Sequence, residues 1–322
     1  MRSGIWFVLI VLTVLLWSMT SLIYKAGIHK EEEEHTSWKY SVSVGIVFFF
    51  ISIFYLIIRD EPFSIFESAL RFWPMTLFGI IYPIINTISF NGYIYNEVTV
   101  ESPIEGISAG TSTVLLIVAY LVLGRVDSLK GLLTPLRTGG IILILFSIIL
   151  LATVRNREGR KAAKGSEKDM WKWRGLGTLI FPILFSGIDA VETVITGVCL
   201  DTKYGYSMPE GDSIIIVGME YSIFALVWWI WIYVKEHRFY NPLKRENLPR
   251  LLGSVSDNVG IVFYSYAMAM DSVSTDPVLA VYPMLSMVGG RIFMKEKVSL
   301  AQYISVFCIV AGSVMVVADA MI

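Results

Sequence analysis

The chain has 322 residues, of which 55% are hydrophobic and only 16% charged, with a mean hydropathy of +0.65 and a formal net charge of -1. A soluble domain cannot bury that much apolar surface, and a balance so close to neutral gives nucleic acid or an acidic partner no electrostatic footprint. Two cysteines, Cys199 and Cys308, provide no disulfide framework.

Ten apolar stretches then follow in chain order, at about 5–24, 39–58, 72–94, 99–123, 134–153, 175–200, 213–234, 251–270, 276–294 and 299–318. Each approaches or exceeds the ~20 residues that a helix needs to cross ~30 Å of hydrocarbon. Strict polar and apolar alternation is missing, and Ile141 to Leu151 is apolar on every face, which excludes a β-barrel. The expected class is an all-α polytopic membrane protein. The first stretch follows Arg2 and resembles a signal peptide, but it is long and no clear small-x-small site follows, so it reads as a retained helix.

Arg155 to Arg174 is the most polar connection and leaves five stretches on either side. The organisation read from it is a first five-helix unit over 1–154, a basic linker over 155–174 and a second unit over 175–322. Asn86 to Pro103 also lies over Gly260 to Pro277 without a gap, so that Phe90 meets Tyr264, Glu97 meets Asp271 and Pro103 meets Pro277. Five spans is an odd number, so the second unit enters from the opposite side and the two form an inverted repeat. Of the 26 basic residues, 19 fall on one set of loops, which by the positive-inside rule places both termini outside the cytoplasm.

Asp276 to Val317 (DPVLAVYPMLSMVGGRIFMKEKVSLAQYISVFCIVAGSVMVV) resembles the closing helices of an EamA-type repeat of the drug/metabolite transporter superfamily, and Leu15 to Gly27 (LLWSMTSLIYKAG) is similar to that family's opening helix. Lys295-Glu296 stands where the family has Gly-Glu, and Gly124-Arg125 stands at the corresponding place in the first half. The resemblance implies ten transmembrane helices as two inverted five-helix repeats. It also implies a cavity walled by the first, third, fourth, sixth, eighth and ninth helices. Well-known relatives are similar to one another in having cytoplasmic termini, against the charge count.

Inside the stretches lie Glu105, Asp189, Glu192, Glu220 and Asp257, whereas the basic residues all fall at span ends or in loops. An acid at a helix centre costs roughly 2.5 to 3.5 kcal/mol on the insertion scale, so such residues face a wet cavity, titrate or bind a cation. Ser186, Asp189, Thr193 and Thr196 share one helical face, with Glu192 about 60° away. That face lines a cavity or, in the competing reading, glues helices through hydroxyl bonds. Asp257 and Glu220 sit in the first third of their stretches, where snorkelling to the interface is the alternative. Glu105 follows Pro103 in what reads as a first helical turn, where capping is the alternative. Gly106 and Gly110 permit close helix packing. The aromatics Trp17, Tyr82, Tyr264 and Tyr282 fall at central depth and suit a cage around an alkylammonium.

His29, His35 and His237 lie in loops, Glu31 to Glu34 is a solvated charge run, and no nucleophile signature or phosphate loop occurs. The chain therefore reads as a non-enzyme without cofactor or metal. The expected activity is secondary active transport of one small organic metabolite, leaning cationic or amine, with proton coupling as an option. The substrate-binding set is Trp17, Tyr82, Asn86, Glu105, Asp189, Asp257, Tyr264 and Tyr282, with Asp189 and Glu192 as coupling residues. Transport of a neutral sugar, amino acid or nucleoside, with the acids kept for coupling, is the alternative. A non-transporting receptor or scaffold is the rival class. The expected partners are the small-molecule substrate and the lipid bilayer, with no nucleic acid, in a monomer or weak homodimer of the cell membrane.

Overall fold

The computed structural model describes residues 2–28, 35–59, 64–95, 98–126, 133–163 and 174–321. Among them are twelve α-helices, one 3-10 turn and no strand. The helices are α1 (Arg2–Ala26), α2 (Thr36–Ile58), α3 (Ile65–Arg71), α4 (Trp73–Tyr95), α5 (Val98–Glu105) and α6 (Ile107–Val122). They continue with α7 (Pro135–Ala163), α8 (Arg174–Leu200), α9 (Glu210–Glu236), α10 (Leu248–Leu279), α11 (Val281–Phe293) and α12 (Leu300–Met321). Within the described residues, six helices are long and apolar enough to cross a membrane: α1, α2, α4, α9 and α12 over most of their lengths, and α8 over Ile183–Leu200. Their outward faces carry large exposed apolar side chains such as Phe50, Phe54, Ile57 and Phe307, a surface suited to acyl chains and not to water.

Two of the ten stretches are interrupted instead of continuous. The fourth consists of α5 and α6, separated at Gly106, whose amide bonds back to the Ser102 carbonyl at 2.9 Å. The ninth consists of the last turns of α10 followed by α11, separated at Ala280. Gly106 and Ala280 are 174 residues apart, the same spacing that superposes Pro103 on Pro277. Helix α10 also kinks at Asp271 (φ -161°, ψ 89°), so residues 272–279 form a separate returning arm. Asp271 caps that arm, accepting from the Ser274 amide at 3.0 Å and its hydroxyl at 2.7 Å. Its counterpart Glu97 lies outside the described residues.

The main helix pairings are α1 with α10, α4 with α8, α2 with α9, and α7 with α12; α8 also packs on α5 and α6, and α1 on α11. The α7–α12 seam is close because Gly140 and Gly312 face each other: a Cβ built on either would lie 2.6 or 2.7 Å from the other's carbonyl oxygen. Helix α3 is started by an N-cap in which the Ser64 hydroxyl accepts from the Glu67 amide at 3.3 Å.

Two expectations change. Helix α7 runs to Ala163, well into the segment read as a linker; residues 164–173, with Lys164, Lys168 and Lys172, lie outside the described residues, as do His29 and Glu31 to Glu34. Nor are all basic residues peripheral. Arg250 in the first turn of α10 is fully buried, with its guanidinium 5.4 Å from the Tyr40 ring centroid and donating to Asn247 Oδ1 at 2.9 Å. Lys39 is buried as well and pairs with Glu236 at 2.8 Å. A helix end can carry such cations inward because aromatic faces and carbonyls replace part of their hydration.

Candidate functional site

A cavity of about 120 Å³ lies among α1, α2, α4, α5, α6 and α8 to α11. That volume holds several waters or one small organic molecule. All eight residues of the expected binding set line it, as does Glu192. The residues come from both halves of the chain, and spacing explains the convergence. Asp189 and Glu192 stand three apart on α8, and Asp257 and Tyr264 seven apart on α10, so each pair shares a helix face. Glu105 reaches the cavity because α5 ends there.

The aromatic side is built on Trp17. Its ring centroid is 5.2 Å from that of Tyr264 and 5.3 Å from that of Tyr282, and its indole N–H donates to the Asp257 carbonyl at 3.2 Å. These three rings form one wall. Tyr82 belongs to a different group, 6.1 Å from Tyr221 and 6.2 Å from Phe78. Asn86 is oriented by donating to the Tyr221 hydroxyl at 3.1 Å.

Five carboxylic acids line the cavity, Glu105, Asp189, Glu192, Asp257 and Asp276, and no Lys, Arg or His is among the lining residues. Neutral hydroxyls hold most of them. Tyr93 donates to Glu105 at 2.5 Å and Ser89 at 2.8 Å, while the same Tyr93 hydroxyl lies 3.1 Å from Ser21. Thr196 donates to Glu192 at 2.8 Å, and Tyr24 approaches Asp257 at the long limit of 3.5 Å. Asp276 is bonded by Ser112 and, at 3.4 Å, by Thr113. Hydroxyls orient a carboxylate without cancelling its charge, so compensation is left to a proton or a cation.

Several alternatives are resolved by these placements. Glu105 is the last residue of α5, two turns in, so helix-start capping does not explain it. Asp257 faces the cavity and not the membrane boundary. Glu220 does neither: its Oε2 is buried against Gly79 between α9 and α4, away from the cavity lining. Ser186 and Thr196 are buried beside the cavity without lining it. Asp276 lies outside the expected set because in the sequence it precedes Pro277 and reads as a turn acid. The arm starts at 272, however, which places Asp276 a full turn inside it. Ser89, Tyr93 and Ser108 carry no signal in isolation, since single hydroxyls are common in such helices.

Residues 202–318 match the model of the EamA-like transporter family. That family is part of the drug/metabolite transporter superfamily, and the match spans a little over a third of the chain. The matched EamA-like segment covers α9 to α12 and agrees with the likeness read from Asp276 to Val317. With several apolar helices beside it, the match supports an integral multi-pass membrane protein, and the family matched is one of membrane transporters. A solved structure titled only "Crystal structure of protein" is similar with a TM-score of 0.58 and 16% identity, covering 100% of this chain and 99% of that one. At that identity the likeness is one of fold. No curated protein matches the chain.

Proposed function

We propose that this EamA-like protein is a secondary active transporter of a small organic cation, an amine or alkylammonium, working by alternating access of two inverted five-helix halves with proton exchange. The observation that carries the reading is the cavity itself: five acids, no base and a three-ring wall around one space. Desolvated cations are attracted both to carboxylates and to aromatic faces, whereas an anionic cargo would meet repulsion from every ionised group.

Ten spans are reached by adding α7, α10, the α5–α6 pair and the arm with α11 to the six long helices. Two features support inverted halves. The interruptions at Gly106 and Ala280 share the 174-residue spacing, and the pairing of α1 with α10 has its counterpart in that of α8 with α4. Asp189, on the helix that faces both interrupted elements, serves as the cation anchor with Glu192 beside it. The protein works in the cell membrane as a monomer or weak homodimer, with both termini outside the cytoplasm.

A neutral cargo is the second reading. Glu105 favours it, because three hydroxyls form a chain around that acid and leave Asn86 to contact a sugar or amino acid. A thermal-shift screen of the purified protein against choline, agmatine, tetramethylammonium, amino acids, nucleosides and sugars separates the two, since a ligand that binds the folded state raises its melting temperature. Stabilisation by the cations, followed by their flux in proteoliposomes and its loss in Asp189→Asn, is the expected result. Stabilisation by neutral solutes alone transfers the assignment to them, and unchanged flux in Asp189→Asn removes Asp189 from the mechanism.

A further inference from the structure

Asp276 and Ser112 occupy the place where the two interrupted elements meet. Asp276 is 3% exposed on the arm of α10, and Ser112 is fully buried on α6. The arm itself is anchored. Thr275 accepts from the Trp6 indole at 2.8 Å, and Asp201 accepts from the Ser272 amide at 3.0 Å and its hydroxyl at 2.6 Å.

The hydroxyl protons do not suffice for all the contacts made. Ser112 Oγ lies 2.6 Å from the Ser108 carbonyl oxygen and 3.1 Å from that of Ala109, and it also touches Asp276 Oδ2. Thr113 Oγ1 lies 2.7 Å from the Ala109 carbonyl oxygen and 3.4 Å from the same carboxylate oxygen. A hydroxyl has one proton and can also accept. If Ser112 gives its proton to the Ser108 carbonyl, the proton in the Asp276 contact must come from Asp276. If Asp276 is ionised, Ser112 turns its proton toward the carboxylate, and the helix carbonyl retains its amide bond. Both arrangements use the same heavy-atom positions, so a proton can enter or leave without repacking the core.

We propose that Asp276 is the exchangeable proton site of this transporter, held by Ser112, and that it couples proton release to cargo binding across the two halves. The proposal rests on the cation-transporter reading for its cargo but not for the proton site. The groups facing Asp276 are Asp189 and Glu192 from α8, Tyr264 from α10 and Tyr282 from α11, with Glu105 and Asp257 on the same cavity. From α6 only hydroxyls face it. Arg137 of α7 pairs with Asp319 of α12 at 3.0 Å and with Asp271 at 3.6 Å. The Tyr264 hydroxyl is buried beside Thr193 on the same cavity. A cation arriving between Asp189 and Glu192 favours breaking of the Asp276 O–H bond, with the proton passing to water in the cavity. By linkage, the proton disfavours the cation to the same degree. The equivalent position in the first half, 174 residues earlier, is Ser102, which cannot titrate, so the proton site is present once.

The test uses the full chain in liposomes, read by infrared spectroscopy of protonated carboxyl groups and by flux. Raising the pH should bleach a protonated-carboxyl band in the wild type, and tetramethylammonium at constant pH should bleach the same band. The band should be missing in Asp276→Asn and moved in Ser112→Ala, a milder variant that keeps the acid and guards against misfolding of the first. A one-unit pH gradient drives about tenfold accumulation per coupled proton, so the ratio of gradient-driven uptake to exchange should fall about tenfold in Asp276→Asn. An intact band in Asp276→Asn, or one unmoved in Ser112→Ala, overturns the proton site. If the band behaves as expected while tetramethylammonium and choline neither bleach it nor move across the membrane, the proton site stands and the cation reading falls.

Discussion

Gly260 makes room for the Trp17 indole: a Cβ built on Gly260 would lie 2.6 Å from both Cδ1 and Nε1 of Trp17. The position determines where the aromatic wall stands, because the displaced indole would also lose its bond to the Asp257 carbonyl. Gly260→Ala should therefore weaken binding of the cation that stabilises the wild type by about tenfold, with a stability cost of about 1 to 3 kcal/mol from overpacking. Isothermal titration beside thermal unfolding checks both. Wild-type affinity in the alanine variant would mean that the ring position does not matter to the cargo.

The aromatic wall itself makes a graded prediction. Trp17 presents the strongest quadrupole of the three rings, and a desolvated cation–π contact is worth about 2 kcal/mol or more. Trp17→Phe should cost a tetraalkylammonium a few-fold in affinity and Trp17→Leu roughly thirtyfold, while a neutral solute should lose equally in both. Dissociation constants for choline and for a sugar in the two variants supply the comparison.

How far the sequence carried this reading depends on the kind of signal. Asp189, Asp257, Trp17 and Tyr264 were legible because an acid or a large aromatic at mid-stretch is conspicuous against hydrocarbon, and period 3.6 then places neighbours on a common face. The spacing of Pro103 and Pro277 anticipated a correspondence that reappears in the interruptions at Gly106 and Ala280. The interruptions themselves were not legible, since Gly106 also suits a packing motif and Ala280 is a good helix former; tertiary contacts break the helix there. Asp276 was hidden for the same reason, as its depth depends on where the arm begins. Arg250 reads as a loop cation in the sequence, and its burial against the Tyr40 ring and Asn247 is a matter of tertiary contacts.

Glu105 is held by hydroxyls and predicts a stability effect separate from transport. Tyr93→Phe removes the shorter of the two hydrogen bonds to Glu105 and leaves the buried carboxyl with that from Ser89. Leaving a buried polar group unsatisfied costs about 1 to 3 kcal/mol. Unfolding in detergent should show that loss for Tyr93→Phe, and the double variant Tyr93→Phe with Glu105→Leu should recover part of it, because the group that needed the donor is gone. A double variant less stable than the sum of the single ones would show that Glu105 is held in place by something other than this hydroxyl.

The Asp271 turn predicts an effect on the arm from outside the cavity. Asp271 caps the arm through Ser274, and its carboxylate also meets Arg137, which pairs with Asp319. An N-cap acid contributes about 1 kcal/mol, and the partly exposed ion pair adds less than that in water. Asp271→Asn keeps a capping oxygen and loses the charge, whereas Asp271→Ala loses both. The asparagine variant should thus unfold close to the wild type at high salt and slightly below it at low salt, and the alanine variant should be destabilised by about 1 kcal/mol at either. Hydrogen exchange over residues 272–279 localises the difference: faster exchange confined to the arm in Asp271→Ala is the expected pattern. Uniform loss of protection across α10 and α11 would instead assign the turn to global stability and remove it as the support of Asp276.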